Sequence, residues 1–323
     1  MNCQDWRTCA SGEIAPLLAA ELRAWRRELD WDVTEAWSVV EPARLAGSLP
    51  GFVVRDRDGR PAGWTSFLLH RTSLQVLAFV AASDEAASAL VDAILSSREA
   101  AAADVSLFCV RAASPGLRDV LASRAFDVED YRYLSLALVP DRMAPIDDDA
   151  GEHIRPWRDD ACAMVRLCER AYAGQPGVRA FALSGTREEW AEYLVGLLSG
   201  PGCGWFAPEL SHVVPAADDA DLIGGVIVTD LGPSTAHIAQ IAVDPTYRGQ
   251  GWGRRLVRAA GWAAFTRGYT QMTLLVSASN GGAMALYARE GFGDRATFLV
   301  ATRRQPILST SDALAIGGES TRR

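Results

Sequence analysis

Val243 to Leu256 reads "VDPTYRGQGWGRRL", with glycines alternating at 249, 251 and 253. Before it, "AHIAQIAV" is an apolar, strand-like run. After it, "WGRRLVRAAGWAAFTR" has the spacing of an amphipathic helix, with Gly268 as its stop. A strand feeding a glycine-rich turn into a helix N-terminus builds an anion site. Bare backbone lets unpaired N–H groups approach the ligand, and the helix dipole adds positive potential. Spacing then excludes two ligand classes. A P-loop needs Lys-Ser or Lys-Thr after its last glycine, and none follows. A dinucleotide fingerprint needs a glycine at its sixth position, where the stretch offers Arg254 (from Gly249) or Leu256 (from Gly251).

What remains is Arg248-x-x-Gly251-x-Gly253, preceded by Val243 and Pro245 and joined to Gly249. Downstream, Asn280, Ala283, Tyr287, Gly291 and Phe292 keep the spacing N-x-x-A-x-x-x-Y-x-x-x-G-F. The two motifs, in this order, resemble the acetyl-CoA-binding and C-terminal motifs of the GCN5-related N-acetyltransferase (GNAT) superfamily. The resemblance covers about residues 150 to 304. It implies that the backbone N–H groups of Gly249, Gln250, Gly251, Trp252, Gly253 and Arg254 cradle the CoA pyrophosphate, with Arg248 adding a charged contact. It implies further that Ile241, Ala242 and Val243 pair with the pantetheine arm, and that Asn280 and Ala283 belong to the same cofactor site. Acetyl-CoA is the expected cosubstrate.

Acyl transfer from a thioester to an amine needs a base for the ammonium, donors for the oxyanion and an acid for the thiolate. By resemblance, Tyr287 is the general acid and the backbone N–H of Ile241 the oxyanion donor. For the base, the resemblance points to His237, eleven residues before Arg248. An imidazole titrates near neutral pH, and strand alternation predicts His237, Ala239, Ile241 and Val243 on one face. Glu209, His212 and Asp230 are the alternatives. Tyr172, Phe181, Glu188, Glu189 and Trp190 are expected around the acceptor rim, and the acidic "AADDAD" loop is read either as a cation attractor or as a solvated surface.

The chain has 323 residues, enough for two domains, and a net charge of −8. That charge repels phosphate backbones, so nucleic acid is not an expected partner. No run of eighteen apolar residues occurs, so no membrane span is expected, and the N-terminus lacks the pattern of a signal peptide. Six scattered cysteines without zinc spacing predict reduced thiols in the cytoplasm and no metal site.

Patterning predicts helix, hairpin, strand, helix, strand, helix, strand in each half, an internal duplication. "LASRAFD" (121–127) sits over "YAREGFG" (287–293), which puts Leu121 opposite Tyr287. Where the second half has its glycine loop, the first has "VAASDEAASAL", in which Asp84 and Glu85 would repel a phosphate. The expected organisation is a degenerate GNAT-like domain (1–140), a linker (141–152), a catalytic GNAT domain (153–305) and a tail (306–323). The expected fold class is α/β (α+β): two tandem GNAT-like domains, each a twisted, mostly antiparallel sheet flanked by helices.

The expected activity is acetyl transfer to a primary amine of a small molecule, by direct attack in a ternary complex, in a monomer or homodimer. The alternatives are a mycothiol-synthase-like or other acyl-CoA transferase or decarboxylase on the same fold, or a non-catalytic acyl-CoA-binding module.

Overall fold

The computed structural model describes residues 1–305 apart from 71–72, 102, 112–115, 142–152, 176–180, 201, 218–219 and 233. The acidic run Asp147 to Asp149 and the tail from 306 lie outside the described residues. The first half contains β1 (Asn2–Asp5), α1 (Ser11–Leu29), α2 (Thr34–Ser38), α3 (Val40–Leu45), β2 (Gly51–Arg55), β3 (Pro61–His70), β4 (Ser73–Ala81), α4 (Asp84–Leu95), β5 (Asp104–Arg111), α5 (Leu117–Ala122) and β6 (Asp127–Ala137). The second contains β7 (Arg155–Pro156), α6 (Ala161–Ala171), α7 (Arg187–Ser199), β8 (Trp205–Phe206), β9 (His212–Pro215), β10 (Leu222–Asp230), β11 (Thr235–Val243), α8 (Trp252–Thr266), β12 (Gln271–Ser277), α9 (Gly281–Arg289) and β13 (Gly293–Arg303).

Local chemistry accounts for the helix boundaries. Thr186 caps α7 through the Glu189 N–H while Glu189 reaches back to the cap, a reciprocal capping box. Gly268 and Gly291 stop α8 and α9 with φ of 86° and 91°, a conformation that costs a side chain about 1–2 kcal/mol. Gly200, which follows α7, is instead extended at φ −118° and ψ 156°. There the helix stops because the chain turns into an extended segment.

The duplication extends to individual hydrogen bonds. The Phe126 N–H donates to the Leu121 carbonyl at 3.2 Å, and the Phe292 N–H to the Tyr287 carbonyl at 3.0 Å. Ala125 holds φ 61° where the second half has Gly291. Each half also carries a bulge on the strand before its strand-to-helix junction. Leu77 is skipped between Val76 and Ala78 in the pairing of β4 with β3, and Ala239 between Ile238 and Gln240 in that of β11 with β10.

All but the short β8 lie on one sheet path, ordered β1-β2-β3-β4-β5-β13-β6-β12-β11-β10-β9-β7, with β8 beside β10. The last strand of each half has therefore crossed to the other half. β6 runs antiparallel to β12 and β13 antiparallel to β5, and the two crossed strands pair with each other at the seam. Packing follows the pairing. Leu134, Leu136 and Leu138 are buried in the second half's core with Val257 and Met272, while Leu299 and Ala301 are buried in the first half's core with Leu90 and Leu107. Burying a leucine is worth roughly 1.5–3 kcal/mol, so each core depends on side chains lent by the other half.

Candidate active site

Strands β11 and β12 are parallel but paired only from Thr235–Gln271 to Ile238–Leu274, after which they diverge. The opening leads into a cavity of about 1410 Å³, walled by the ends of both strands, the glycine loop, α9, and side chains from α6 and β6. The register fixes which backbone groups face the gap. The Asp244 N–H donates to the Ile223 carbonyl at 2.8 Å, making that a hydrogen-bonded pair, so Gly224–Val243 is not one. By alternation Ala242 bonds to β10, while Ile241 and Val243 turn their N–H and C=O groups toward the gap. The Tyr172 hydroxyl donates to the Ile241 carbonyl, leaving the Ile241 N–H directed at the cavity.

The bulge at Ala239 is clamped by hydrogen bonds. The Gln240 Nε2 donates to the Tyr172 hydroxyl at 2.7 Å, and the Tyr193 hydroxyl donates to the Gln240 Oε1 at 3.1 Å. Burial pushes both phenols well above their usual pKa, so they stay protonated donors. The bulge also breaks the period-2 alternation. Ile238, Ile241 and Val243 pack toward α8, and His237 lies on the opposite face.

This corrects the expectation that His237 shares a face with Ile241. His237 is 2 % exposed and packs edge-on against Trp31, its Nδ1 bonded to the Thr273 hydroxyl at 2.9 Å, and it does not line the cavity. Burial pushes its pKa down to about 3, so it is neutral near pH 7 and shapes no catalytic limb there. The alternatives Glu209, His212 and Asp230 do not line the cavity either. Among the described lining residues the single carboxylate is Glu290, which Arg254 and Arg258 hold at 2.6 and 2.7 Å.

The glycine loop stands at one mouth. Gly249 and Gly251 adopt φ of 77° and 85°, which only glycine accepts without strain. Gly253 fits against Leu286, which a Cβ would meet at 3.4 Å. Asp244 anchors the start of the loop by accepting from Thr246 and pairing with Arg170 at 2.8 Å. Burial alone would raise its carboxyl, but the bonds from Thr246 and Arg170 outweigh that and hold its pKa below the usual range. Arg248 donates to the Ala171 carbonyl and so ties the loop to α6. Arg255 stacks on Trp252 at 4.8 Å.

Ile241, Ala242, Val243, Arg248, Gly249, Gly251, Trp252, Gly253, Arg254, Asn280, Ala283 and Tyr287 all line the cavity; Gln250 points back to the Thr246 carbonyl and does not. Asn280 caps α9 by accepting from the Ala283 N–H at 3.1 Å, which accounts physically for the Asn-x-x-Ala spacing. Tyr287 is 4 % exposed, meets Phe292 edge-on at 5.6 Å, and bonds to no described residue through its hydroxyl. Burial raises its phenol pKa, keeping the proton on.

Of the expected acceptor rim, Tyr172 and Phe181 line the cavity; Trp190 stacks behind Tyr172 at 5.2 Å, and Glu189 serves as a helix cap. Part of the "AADDAD" loop, 218–219, lies outside the described residues, and Asp221 pairs with Arg166. Sequence reasoning missed Tyr131, Gln240 and Tyr193. Tyr131 sits far from the motifs in the chain, and only the crossed strand brings it to them.

Among the described residues, no helix is long and apolar enough to cross a membrane, and no group of three or more metal-ligating side chains occurs. The family model for the Acetyltransferase (GNAT) family matches residues 176–292. A mycothiol acetyltransferase of Jonesia denitrificans is 34% identical over 90 residues, 27% of this chain and 29% of the relative. Another, from Clavibacter michiganensis, is 28% identical over 216 residues, 64% of each chain. The matches thus span less than two thirds of these relatives. A tandem GNAT protein from the clavulanic acid biosynthesis pathway shares the fold at TM-score 0.51 and 16% identity, over 79% of this chain and 82% of that one. Residues 176–292, which include the glycine loop and α9, thus match the Acetyltransferase (GNAT) family, and the chain as a whole shares the fold of a tandem GNAT protein.

Proposed function

We propose that the protein transfers an acetyl group from acetyl-CoA to a primary amine of a small molecule, by direct attack within a ternary complex. The observation that carries this is the split between β11 and β12. It joins the glycine loop on the α8 side to an aromatic cavity under α6 and α7, with the Ile241 N–H turned into it. In this reading the loop N–H groups and the N-terminus of α8 hold the pyrophosphate, with Arg254 and Arg289 on the same wall. The free amides of Ile241 and Val243 pair with the pantetheine arm as a strand would. The Ile241 N–H stabilises the oxyanion, and Tyr287 protonates the departing thiolate.

The test is CoA release from acetyl-CoA with a panel of amines: amino sugars, aminoglycosides and amino-acid derivatives. Tyr287→Phe should lower kcat by about a hundredfold, the lower end of general-acid effects, with acetyl-CoA affinity unchanged. Unaltered turnover would remove Tyr287 from the acid role. Tight acetyl-CoA binding without turnover of any amine would favour a non-catalytic acyl-CoA module. A second reading, an acceptor of the mycothiol type, draws on the names of the relatives; it predicts preferential acetylation of the unacetylated form of mycothiol in the same assay. The site of action in either reading is the cytoplasm.

A further inference from the structure

The crossed strand carries Tyr131 of the first half into the wall of the second half's cavity. β6 pairs Tyr131 with Ser277, and residues directly paired across a sheet share a face. Glu129, two residues earlier, is on that face too. It is the side covered by α6 and α7, since Tyr131 lines the cavity and meets the Phe181 ring at 6.4 Å. The Glu129 Oε1 accepts hydrogen bonds from the hydroxyls of Ser277 and Ser279, the latter at 2.6 Å, and both serines line the cavity.

Glu290, Asp244 and Asp160 around the second half each hold an arginine, whereas Glu129 forms no ion pair with a described residue. Two serine hydroxyls fix its direction without neutralising it. A half-buried carboxylate steered in this way beside a tyrosine ring is arranged to take a cation from solution.

We infer that Glu129, steered by Ser277 and Ser279, binds the ammonium group of the acceptor while Tyr131 packs on its carbon body. The half that lacks the glycine loop then selects the substrate of the half that has it. This rests on the acyl-transfer reading for the word "acceptor", but its test does not need turnover.

The probes are phenethylamine, cationic at neutral pH, and its neutral isostere phenethyl alcohol. Both are titrated calorimetrically into the full chain with and without CoA. The wild type should bind the amine about tenfold more tightly than the alcohol, the scale of one charge-assisted contact. Glu129→Gln should bind the two equally, Ser279→Ala should narrow the difference, and Glu129→Asp should keep most of it. Equal binding of both probes by the wild type would overturn the inference, as would discrimination that survives in Glu129→Gln. Failure of the acyl-transfer reading appears separately, as absence of CoA release with every amine while the discrimination persists.

Discussion

The strand-to-helix junctions of the two halves start from the same bulged strand and end on a helix of the same kind. In the second half, residues 244–251 span from Val243 to Trp252; in the first, only Ala82 and Ser83 separate Ala81 from Asp84. The first half has lost the loop itself, and not merely its glycines. Its helix N-terminus is occupied from within: Ser83 caps α4, and the Asp84 carboxylate accepts from the Gly116 N–H at 3.0 Å, bridging to the start of α5. An anion site needs donors left free, and a loop long enough to turn them toward the ligand. The second half has the longer loop, and the first has spent donors on its own side chains.

The comparison breaks most visibly if the halves are separated. Residues 153–305 produced alone leave β12 and β13 without β6 and the core without Leu134, Leu136 and Leu138. The expected outcome is loss of cooperative unfolding in urea, restored when residues 1–140 are co-produced. A stable, acetyl-CoA-binding fragment would show that the exchange is dispensable.

Next in size is the loop. Gly251→Ala forces a side chain to φ 85° at a strain of about 1–2 kcal/mol, and acetyl-CoA should bind about tenfold more weakly in a calorimetric titration. Asp84→Asn, the matching change in the first half, should leave that affinity unaltered. Equal effects from the two would mean that both junctions bind the cofactor.

His237 tests the contact between the halves, since Trp31 and Tyr133 from the first pack against it. Its pKa falls from 6.5 in the unfolded chain to about 3 in the fold, so the unfolded state binds the extra proton between those values. Its contribution to stability is complete above about pH 6.5 and is lost as pH falls toward 3, at up to about 1.4 kcal/mol per pH unit. Urea midpoints measured from pH 7 to pH 4 should fall less steeply in His237→Leu than in the wild type. Parallel slopes would mean that the imidazole is charged in the native state.

The smallest effect sharpens the equivalence of the two C-terminal turns. Ala125 holds a left-handed φ of 61° at the place of Gly291. Ala125→Gly should raise stability by about 0.5 kcal/mol, the relief of strain exceeding the added chain entropy. A lower denaturation midpoint would show that the strain is absent.

Much of this was legible in the sequence, because periodicity and turn residues are local. The alternating and helical runs, the loop at 249–253, the cap at Asn280 and the stop at Gly291 all declare themselves within a few residues. Partner choice is not local. β6 and β13 are both alternating apolar strands, and nothing in "YRYLSLA" says whether its neighbour is β5 or β12. A single extra residue at Ala239 was enough to turn His237 to the far face, since a one-residue slip inverts every side chain after it. A comparison of the halves without gaps shows the junction at Ala82 and Ser83 as a substitution, because it cannot display a difference in length. Tyr131 carries no motif, and it reaches the cavity only through the exchange.

The crossed strands also set a timetable for synthesis. When the first half leaves the ribosome, β5 already pairs with β4, but its other edge is open. β6 emerges with neither of its native neighbours, because β12 and β13 are made last. Three strand edges thus wait for more than a hundred further residues, and β5 gains its neighbour only with the final strand. Such edges are where chains join wrong partners. The step that closes the sheet also completes the cores of both halves, so the protein has no stage at which one half is finished.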